Sequence, residues 1–292
     1  SLALAALSKA YSFEKKISFY YVLVNHNIRS NSSKEATQVK VLLNKHNIKL
    51  NILKNNFKIK KNIQGQARNV RYEMLNNFCK KKNVKTIITG HNLDDQVETF
   101  FIRLSRGSGL TGLSAMKPLS KLDKKIRLFR PLLDVKKDSL IKISKKIFKK
   151  YFIDPSNKNK KFLRTKIRNL KKPLMESGIN YDQIIKSINN LASSNEVLDQ
   201  YLEEIFADIV IVTKKQILID FKKFRKFNLE VKIKLINKCI KILKKNYYNP
   251  RSKKVSFLIS AIEKHSFKKA SLGGCQFFKK KDVLSLMVEK SL

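Results

Sequence analysis

Short apolar segments alternate with helical segments along the N-terminal part of the chain, and this alternation is the strongest constraint on the fold. Three apolar stretches, at residues 19–26, 48–54 and 85–91, have the length and composition of β-strands. An S-x-x-E capping pattern at Ser32 and an apolar face within residues 64–82 predict the helices that separate them. Such alternation favours an α/β fold, with a doubly wound, mainly parallel sheet covered by helices on both faces. In these sheets ligands bind beyond the carboxyl ends of the strands.

The stretch GHNLDDQVET places three carboxylates directly after the third of these strands. Gly90 and His91 end the strand, and Asp94, Asp95 and Glu98 follow at the turn into the next helix. Asp95 and Glu98 are three residues apart, so they share one helical face above the carboxyl edge of the sheet. Magnesium prefers oxygen ligands and often bridges to substrate phosphates, so the pattern predicts a nucleotide–magnesium site. The alternative is helix capping, because acidic residues are favoured in the first turn of any helix.

Basic residues are numerous, and the arginines among them are concentrated in one part of the chain. The formal net charge is +42, which suits a polyanionic partner such as nucleic acid, although AT-rich coding would also produce an excess of lysine. Only 11 of the 64 basic residues are arginine, and eight of these fall between Arg68 and Arg168. Arg68 and Arg71 are candidates for holding phosphate oxygens. Arg164 and Arg168 are four residues apart and predict a basic ridge for a phosphate backbone. A solvated helix face is the alternative for both pairs.

Other features limit the class of protein and its domain organisation. No apolar run is long enough to span a membrane, so no membrane partner is expected. The three cysteines are far apart and fit neither a zinc site nor a disulfide framework, which predicts buried thiols in a reducing compartment. The glycine-rich stretch at 106–116 is weak evidence for a site, because a helix cap and turn would also explain it. Later residues predict helices, a hairpin at 209–221 and terminal strands. The phenylalanines of 221–227 are expected in the core, and contact with RNA is the alternative.

Six blocks of sequence, in order and with approximate spacing, resemble the tRNA(Ile)-lysidine synthetase family. They are VNHNIR, QARNVRYEML, HNLDDQVET, RLSRGSGLTGLSAM, FRPLLDV, and DPSN followed by FLRTKIRN. SLGGCQFF resembles a late segment of some members. The resemblance implies a PP-loop ATP pyrophosphatase catalytic domain at residues 1–175. A smaller, mainly helical tRNA-binding domain with short strands is implied at residues 176–292.

The family joins free L-lysine to the wobble cytidine of a tRNA-Ile with a CAU anticodon, using ATP and Mg²⁺. The resemblance implies that ATP adenylates the cytosine ring and releases diphosphate, after which the lysine amine displaces AMP. The product is lysidine, which changes the tRNA from methionine to isoleucine specificity. The resemblance therefore implies that this chain derives from a carbon–nitrogen ligase.

The resemblance also implies roles for particular residues. Asp95 and Glu98 would hold magnesium or the lysine ammonium group, His91 and Asp94 would support them, and Arg71 would stabilise the activated nucleotide. The implied nucleotide contacts are Ser1, Asn25, His26, Asn27 and Gly90. The implied tRNA contacts are Arg106, Arg164 and Arg168.

One departure from the family pattern lies at the first residue. The family's phosphate loop, SGGxDS, joins the first strand to the first helix, whereas this chain begins SLALAAL, so Ser1 matches the last serine of the motif. We therefore expect a chain truncated within the motif that does not bind ATP normally and is inactive by itself. Backbone N–H groups of such a loop would otherwise cradle the phosphates.

Two alternatives stay open on the sequence. Another PP-loop tRNA-modifying enzyme, such as a thiolase, would share the sheet and the nucleotide, but many thiolases use paired cysteines and this chain has no close pair. A catalytically inactive tRNA-binding fragment would keep the basic surface without the chemistry. A cytoplasmic location is expected, and both a monomer and a homodimer are compatible with the sequence.

Overall fold

The computed structural model describes residues 1–56, 63–123, 125–152, 162–244 and 250–289. The chain divides into two compact units, of which the first contains Ser1–Ile102 and Met116–Ile185 and the second contains Arg103–Ala115 and Lys186–Leu292. The expected domain division at residue 175 stays a prediction. The DPSN block, at residues 154–157, lies outside the described residues.

The described residues form twelve helices and ten strands, numbered in chain order. They are α1 (Leu2–Lys15), β1 (Tyr21–Asn25), α2 (Ser32–Asn44), β2 (Leu50–Lys54), α3 (Ile63–Lys81), β3 (Thr86–Ile88), α4 (Leu93–Leu104), α5 (Leu110–Leu113), β4 (Leu119–Lys121), β5 (Arg127–Phe129), α6 (Lys137–Phe148), α7 (Leu163–Asn169), α8 (Lys171–Glu176), α9 (Tyr181–Ile209), β6 (Val210–Val212), β7 (Gln216–Asp220), α10 (Phe221–Arg225), α11 (Leu229–Lys244), α12 (Ser252–Ile262), β8 (Lys269–Leu272), β9 (Cys275–Lys280) and β10 (Val283–Val288).

The first unit has the predicted α/β fold, with parallel strand pairs between helices. β1 pairs with β2 in parallel, from Tyr21 opposite Leu50 to Asn25 opposite Lys54. β3 pairs with β5 in parallel, and β4 adds an antiparallel edge, giving the order β3-β5-β4. Parallel pairs need crossover connections, and α2 and α3 lie in the connections between β1, β2 and β3. The carboxyl ends of β1 and β3 therefore carry the turns that hold the predicted site residues.

Apolar side chains fix these helices onto the strands. Leu43, Ile48 and Phe148 are buried together in one cluster with alanines of α1. Ile126 and Leu128 are buried in a second cluster under α3. Full burial of one such side chain stabilises a fold by about 1.5–3 kcal/mol. The strands are short, so this packing rather than strand length holds their ends in place.

The side-chain hydrogen bonds predicted for a capping box at the start of α2 are replaced by other contacts. Asn31 is the N-cap of α2 and makes no side-chain capping bond. Ser32 instead donates its hydroxyl to the carbonyl of Arg29, and Glu35 accepts from the Arg29 guanidinium at 3.0 Å. The helix therefore starts where the pattern predicts, but Glu35 binds an arginine before the helix rather than a backbone N–H.

The second unit joins helices to a single antiparallel sheet. Its strand order is β6-β7-β10-β9-β8, so the predicted hairpin and the predicted terminal strands form one five-stranded sheet. Phe224, Leu235 and Phe277 have no exposed surface and form part of the core under this sheet. Phe221 and Phe224 are buried, which confirms that the aromatic residues of α10 serve the core. Across the described ranges, no helix combines the length and the apolar character needed to cross a membrane.

Candidate functional site

The acidic helix α4 begins with a reciprocal cap directly after β3. The Asn92 side-chain oxygen accepts the backbone N–H of Asp95 at 3.1 Å, and the Asp95 carboxylate accepts the backbone N–H of Asn92 at 3.1 Å. This exchange satisfies two N–H groups that a helix start leaves without partners. Capping therefore explains one oxygen of Asp95, but it does not explain Asp94 or Glu98.

Two arginines of α7 cover the carboxylates of Asp95 and Glu98. Arg164 donates Nε to Glu98 Oε2 at 2.5 Å and Nη2 to Asp95 Oδ1 at 3.0 Å. Arg168 donates Nε to Glu98 Oε1 at 2.5 Å and Nη2 to Oε2 at 3.2 Å. The Glu98 side chain is only 3% exposed, so both guanidiniums compensate a charge that has lost its water.

This pairing corrects the expected orientation of α7. Arg164 and Arg168 were expected to form an open basic ridge, whereas both are directed onto the carboxylates of α4. The alternative expectation, a solvated helix face, is equally wrong for these two side chains. A contact of either arginine with tRNA stays a prediction.

Asp94 is held by other donors, at the meeting point of three helices. Its Oδ1 accepts Lys171 Nζ at 2.8 Å, and its Oδ2 accepts the backbone N–H of Lys137 at 3.0 Å. Burial alone would raise the pKa of Asp94, but the bonds from Lys171 and Lys137 outweigh it and lower that pKa. Lys171 also lies 5.0 Å from the ring centre of Tyr181, whose pKa burial and the nearby Asp94 charge raise to about 12. Asp94 therefore positions α6 and α8, since both of its oxygens have protein partners.

The predicted magnesium ligands do not fit a metal in this arrangement. Both oxygens of Glu98 and both of Asp95 accept N–H groups from arginines or backbone. In the part of the chain that the structure describes, no group of three or more His, Cys, Asp or Glu residues could hold a metal ion. A magnesium ion bound through these carboxylates would have to displace arginine N–H groups, because each of the four oxygens already accepts an N–H group.

His91 is held as a neutral ring behind this acidic stretch. Thr89 Oγ1 lies 2.9 Å from His91 Nδ1. Burial lowers the pKa of His91 to about 3, and the positive charges of four arginines add to the effect; in order of strength they are Arg130, Arg68, Arg164 and Arg71. At neutral pH the ring is uncharged and too weakly basic to take a proton from an ammonium group. Its bond with Thr89 ties the ring to the end of the strand, and a supporting role in the site stays a prediction.

The turn after β1 is fixed by asparagines. Asn25 is buried, donates Nδ2 to Ser33 Oγ at 3.0 Å and accepts the backbone N–H of Asn27 at 2.9 Å. Asn27 has φ 53°, a left-handed conformation that asparagine tolerates better than most residues. The backbone N–H of Asn55 donates to the Asn25 carbonyl at 2.9 Å and ties the turn to the end of β2.

His26, on the same turn, presents an unused donor. Arg71 donates to His26 Nε2 at 3.4 Å, so the ring hydrogen sits on Nδ1. Nδ1 is buried, and within the described ranges it has no hydrogen-bond partner. The pKa of His26 is lowered by burial and then by the charge of Arg71. A buried donor without a partner is unfavourable, and because Nδ1 has almost no accessible surface, a ligand could reach it only if the turn moved.

One cleft of about 1230 Å³ brings the predicted nucleotide residues together. Its walls include all five of these residues, namely Ser1, Asn25, His26, Asn27 and Gly90. Gly90 lies against the start of α1, where a Cβ would be 3.6 Å from Ser1 Cα, an ordinary contact distance. The volume is sufficient for a nucleotide.

The cleft is cationic, and its arginines come from different elements. Arg29, Arg68, Arg71 and Arg164 line it together with Lys137 and the carboxylate of Glu35, whereas Asp94, Asp95 and Glu98 do not. The pKa of Arg71 is lowered chiefly by desolvation; Tyr72 opposes this, and the weaker effects of the Arg68 and Arg164 charges add to it. Three guanidiniums close together favour a polyanion such as a phosphate chain.

Sequence reasoning missed two parts of this region. Lys171 follows Arg168 by three residues and Arg164 by seven, a spacing that could have indicated one cationic helical stripe. Gln96 exchanges two hydrogen bonds with the backbone of Met116, at 2.9 Å and 2.8 Å, and both groups are buried. No sequence signal indicates that pairing.

Arg106 and the glycine-rich stretch belong to the second unit. Arg106 is exposed, and Gly107 has φ 62° at the turn that ends α4. Arg103 Nη1 donates to the carbonyls of Gly112 and Ala115, both at 2.7 Å. This stretch therefore consists of the end of α4, a turn and the short α5. That agrees with the expectation that its glycines serve a helix cap and turn.

Comparisons with known proteins find relatives for most of the chain. A family model described as PP-loop domain matches residues 1–174. A tRNA(Ile)-lysidine synthase of Wolbachia pipientis wMel is 34% identical over 100% of this chain and 68% of its own length. That of Orientia tsutsugamushi is 34% identical over 84% of this chain and 57% of its own length. The chain thus spans about two thirds or less of the length of these curated relatives.

Among solved structures, the fold resembles the U34-tRNA thiolase NcsA from Methanococcus maripaludis with its [4Fe-4S] cluster. The TM-score is 0.53 at 19% identity, over 65% of this chain and 67% of that one. At this identity the likeness concerns the fold alone. Cys79, Cys239 and Cys275 are all buried free thiols, as predicted. They fall in different units, Cys79 in the first and the other two in the second.

Proposed function

Because the chain belongs to the tRNA(Ile)-lysidine synthase family of PP-loop proteins, we propose that it is the core of an ATP-dependent ligase. The proposed ligase joins the amine of free L-lysine to the wobble cytidine of a tRNA-Ile with a CAU anticodon. One observation carries this proposal: the cationic cleft and the acidic helix share Arg164, so a polyanion site and a cation site adjoin within one unit.

In the proposed first step, ATP lies in the cleft and the 2-oxygen of the cytosine ring attacks its α-phosphorus. The adenylyl group is transferred to that oxygen and diphosphate leaves. Negative charge accumulates on the phosphates during this transfer. Arg68 and Arg71 are suited to balance that charge, because they line the cleft. His26 lines the same cleft and is suited to contact the nucleotide with its ring.

In the proposed second step, the lysine amine attacks carbon 2 of the activated ring and AMP leaves. The attacking amine must first lose a proton, and the remaining ammonium group needs a counter-charge. Asp95 and Glu98 are the carboxylates suited to hold that group, while Asp94 and His91 support their turn. His91 is not proposed as the base, because its pKa of about 3 leaves it too weak.

Magnesium would accompany the phosphates of ATP, whose oxygens suit its ligand preference. Asp95 and Glu98 as arranged do not form its site, so no step is assigned to a metal there. We also propose that Arg106 and the second unit contact the tRNA, and that the reaction takes place in the cytoplasm, where its tRNA substrate is found.

The proposal is tested by following radiolabelled lysine into tRNA-Ile with a CAU anticodon, in the presence of ATP and magnesium. Two proteins are compared: this chain, and a version extended upstream to include an SGGxDS segment encoded by the source DNA. We expect lysine transfer by the extended protein, and the present chain is the comparison. If the extended protein binds this tRNA but transfers no lysine, the ligase proposal fails and tRNA binding without chemistry is favoured.

A further inference from the structure

Arg164 is in contact with both sites of the proposed reaction. Its Nε and Nη2 are engaged with Glu98 and Asp95 at 2.5 Å and 3.0 Å. The same side chain lines the cationic cleft and is 33% exposed. Arg168 differs, because it borders a shallow hollow formed with α8 residues and is not part of the cleft wall.

The carboxylates themselves are shielded from the cleft. Asp95 and Glu98 are absent from its wall, and their side chains are 19% and 3% exposed. A cationic ligand that reaches these carboxylates must therefore replace a guanidinium. An anion in the cleft can supply Arg164 with a new partner, because a guanidinium binds phosphate as well as carboxylate through its paired N–H groups.

We propose that Arg164 is a positioning residue that couples the two sites by exchange of counter-ions: a phosphate anion in the cleft draws its guanidinium away and opens the carboxylates to an amine. The exchange conserves pairing, since one guanidinium moves from carboxylate to phosphate while the arriving ammonium takes its place. Arg168 stays on Glu98 throughout, so the buried carboxylate never lacks a partner. The amine site is then completed only after the anion has bound.

Such coupling is reciprocal and has a measurable size. If the anion raises affinity for the amine by some factor, the amine raises affinity for the anion by the same factor. The inference rests on the proposed function in taking ATP phosphates and lysine as the natural ligands. Its test uses simpler probes, inorganic pyrophosphate and the diamine cadaverine, which has no carboxylate to bind an arginine.

Calorimetric titration of cadaverine into the chain, with and without pyrophosphate at constant ionic strength, measures the coupling. We expect pyrophosphate to tighten cadaverine binding by about fivefold or more. In Arg164→Gln, cadaverine should bind without pyrophosphate, and adding pyrophosphate should change its affinity little. The matched control Arg168→Gln should retain the coupling, because Arg168 is not part of the cleft wall.

Glu98→Gln shows whether cadaverine reports on the carboxylates, and it should abolish cadaverine binding under both conditions. The proposal is overturned if pyrophosphate has no effect on the unaltered chain, if Arg164→Gln keeps the full coupling, or if cadaverine still binds Glu98→Gln. Circular dichroism of each variant confirms that it is folded, and Arg164→Lys, Arg168→Lys or Glu98→Ala replaces the glutamine variant at the same position if that variant is not. A protein that transfers lysine but shows no coupling contradicts only this inference. One that shows coupling but transfers no lysine contradicts only the proposed reaction.

Discussion

Each unit of this protein holds a small cluster of charged and polar side chains. The first cluster borders a cleft, whereas the second is closed in the sense that its members pair with one another away from that cleft. In the first unit, Glu98 is held by Arg164 and Arg168, and Arg164 also lines a cleft. In the second unit, Lys234 of α11 donates to Asn195 Oδ1 at 2.9 Å and to Asp199 Oδ1 at 2.6 Å.

The second cluster satisfies itself. Asn195 is fully buried, donates Nδ2 to the other oxygen of Asp199 at 2.9 Å, and accepts the hydroxyl of Thr111 at 2.9 Å. These bonds fasten the segment before Met116 to α9 and α11 within the second unit. Buried pairing is therefore not by itself a sign of function: the cluster beside a cleft can exchange partners with a ligand, whereas the closed cluster holds elements together.

The largest difference between the clusters should appear on neutralising Glu98. Glu98→Gln in the active, extended protein should abolish lysine transfer while tRNA binding stays nearly unchanged, because it removes the counter-charge for the amine. Stability should fall by about 2–4 kcal/mol, since two partly exposed arginines lose their shared partner. Transfer assays, tRNA filter binding and urea unfolding measure the three effects. An equal loss of tRNA binding would contradict the catalytic role.

The closed cluster should lose stability without losing lysine transfer. Lys234→Met keeps the side-chain volume but removes the charge, and it should destabilise the protein by about 2–3 kcal/mol, less than for a fully buried pair because Asp199 is 43% exposed. Lysine transfer per folded molecule should not change. A variant that keeps its stability but loses transfer would assign the closed cluster a role in the reaction.

Local patterns predicted the positions of these elements better than their partners. The strand and helix alternation, the carboxyl-edge position of Asp95 and Glu98, and the hairpin at residues 209–221 are all readable from spacing and hydrophobicity. The cations that pair with the carboxylates are 66 to 77 residues away along the chain. Helix and strand periodicity relates residues only a few positions apart, so it could not predict these pairs. Residues 103–115 belong to the second unit, where Thr111 is hydrogen-bonded to Asn195, which lies 84 residues further along the chain. Local patterns do not predict a contact over this separation.

A smaller effect concerns His91, beside the first cluster, and the dependence of protein stability on pH. Because the pKa of folded His91 is lowered from 6.5 to about 3, the unfolded chain binds one more proton than the folded chain between these values. Stability should therefore be lost as pH falls through this window, by at most about 1.4 kcal/mol per pH unit. Urea unfolding at several pH values should show a shallower loss for His91→Gln. Pyrophosphate should also reduce the slope of the unaltered protein, because it offsets the arginine charges.

The smallest effect concerns two lysine–aspartate pairs of equal length in the first unit. Lys171–Asp94 and Lys136–Asp182 both measure 2.8 Å, but Asp94 is 10% exposed and Asp182 is 56% exposed. Lys171→Ala should lower stability by about 1–3 kcal/mol, because it leaves a buried carboxylate oxygen without its partner. Lys136→Ala should leave the urea midpoint unchanged, since water replaces an exposed ion pair at almost no loss. Equal effects of the two substitutions would contradict the view that burial decides how much an ion pair stabilises the protein.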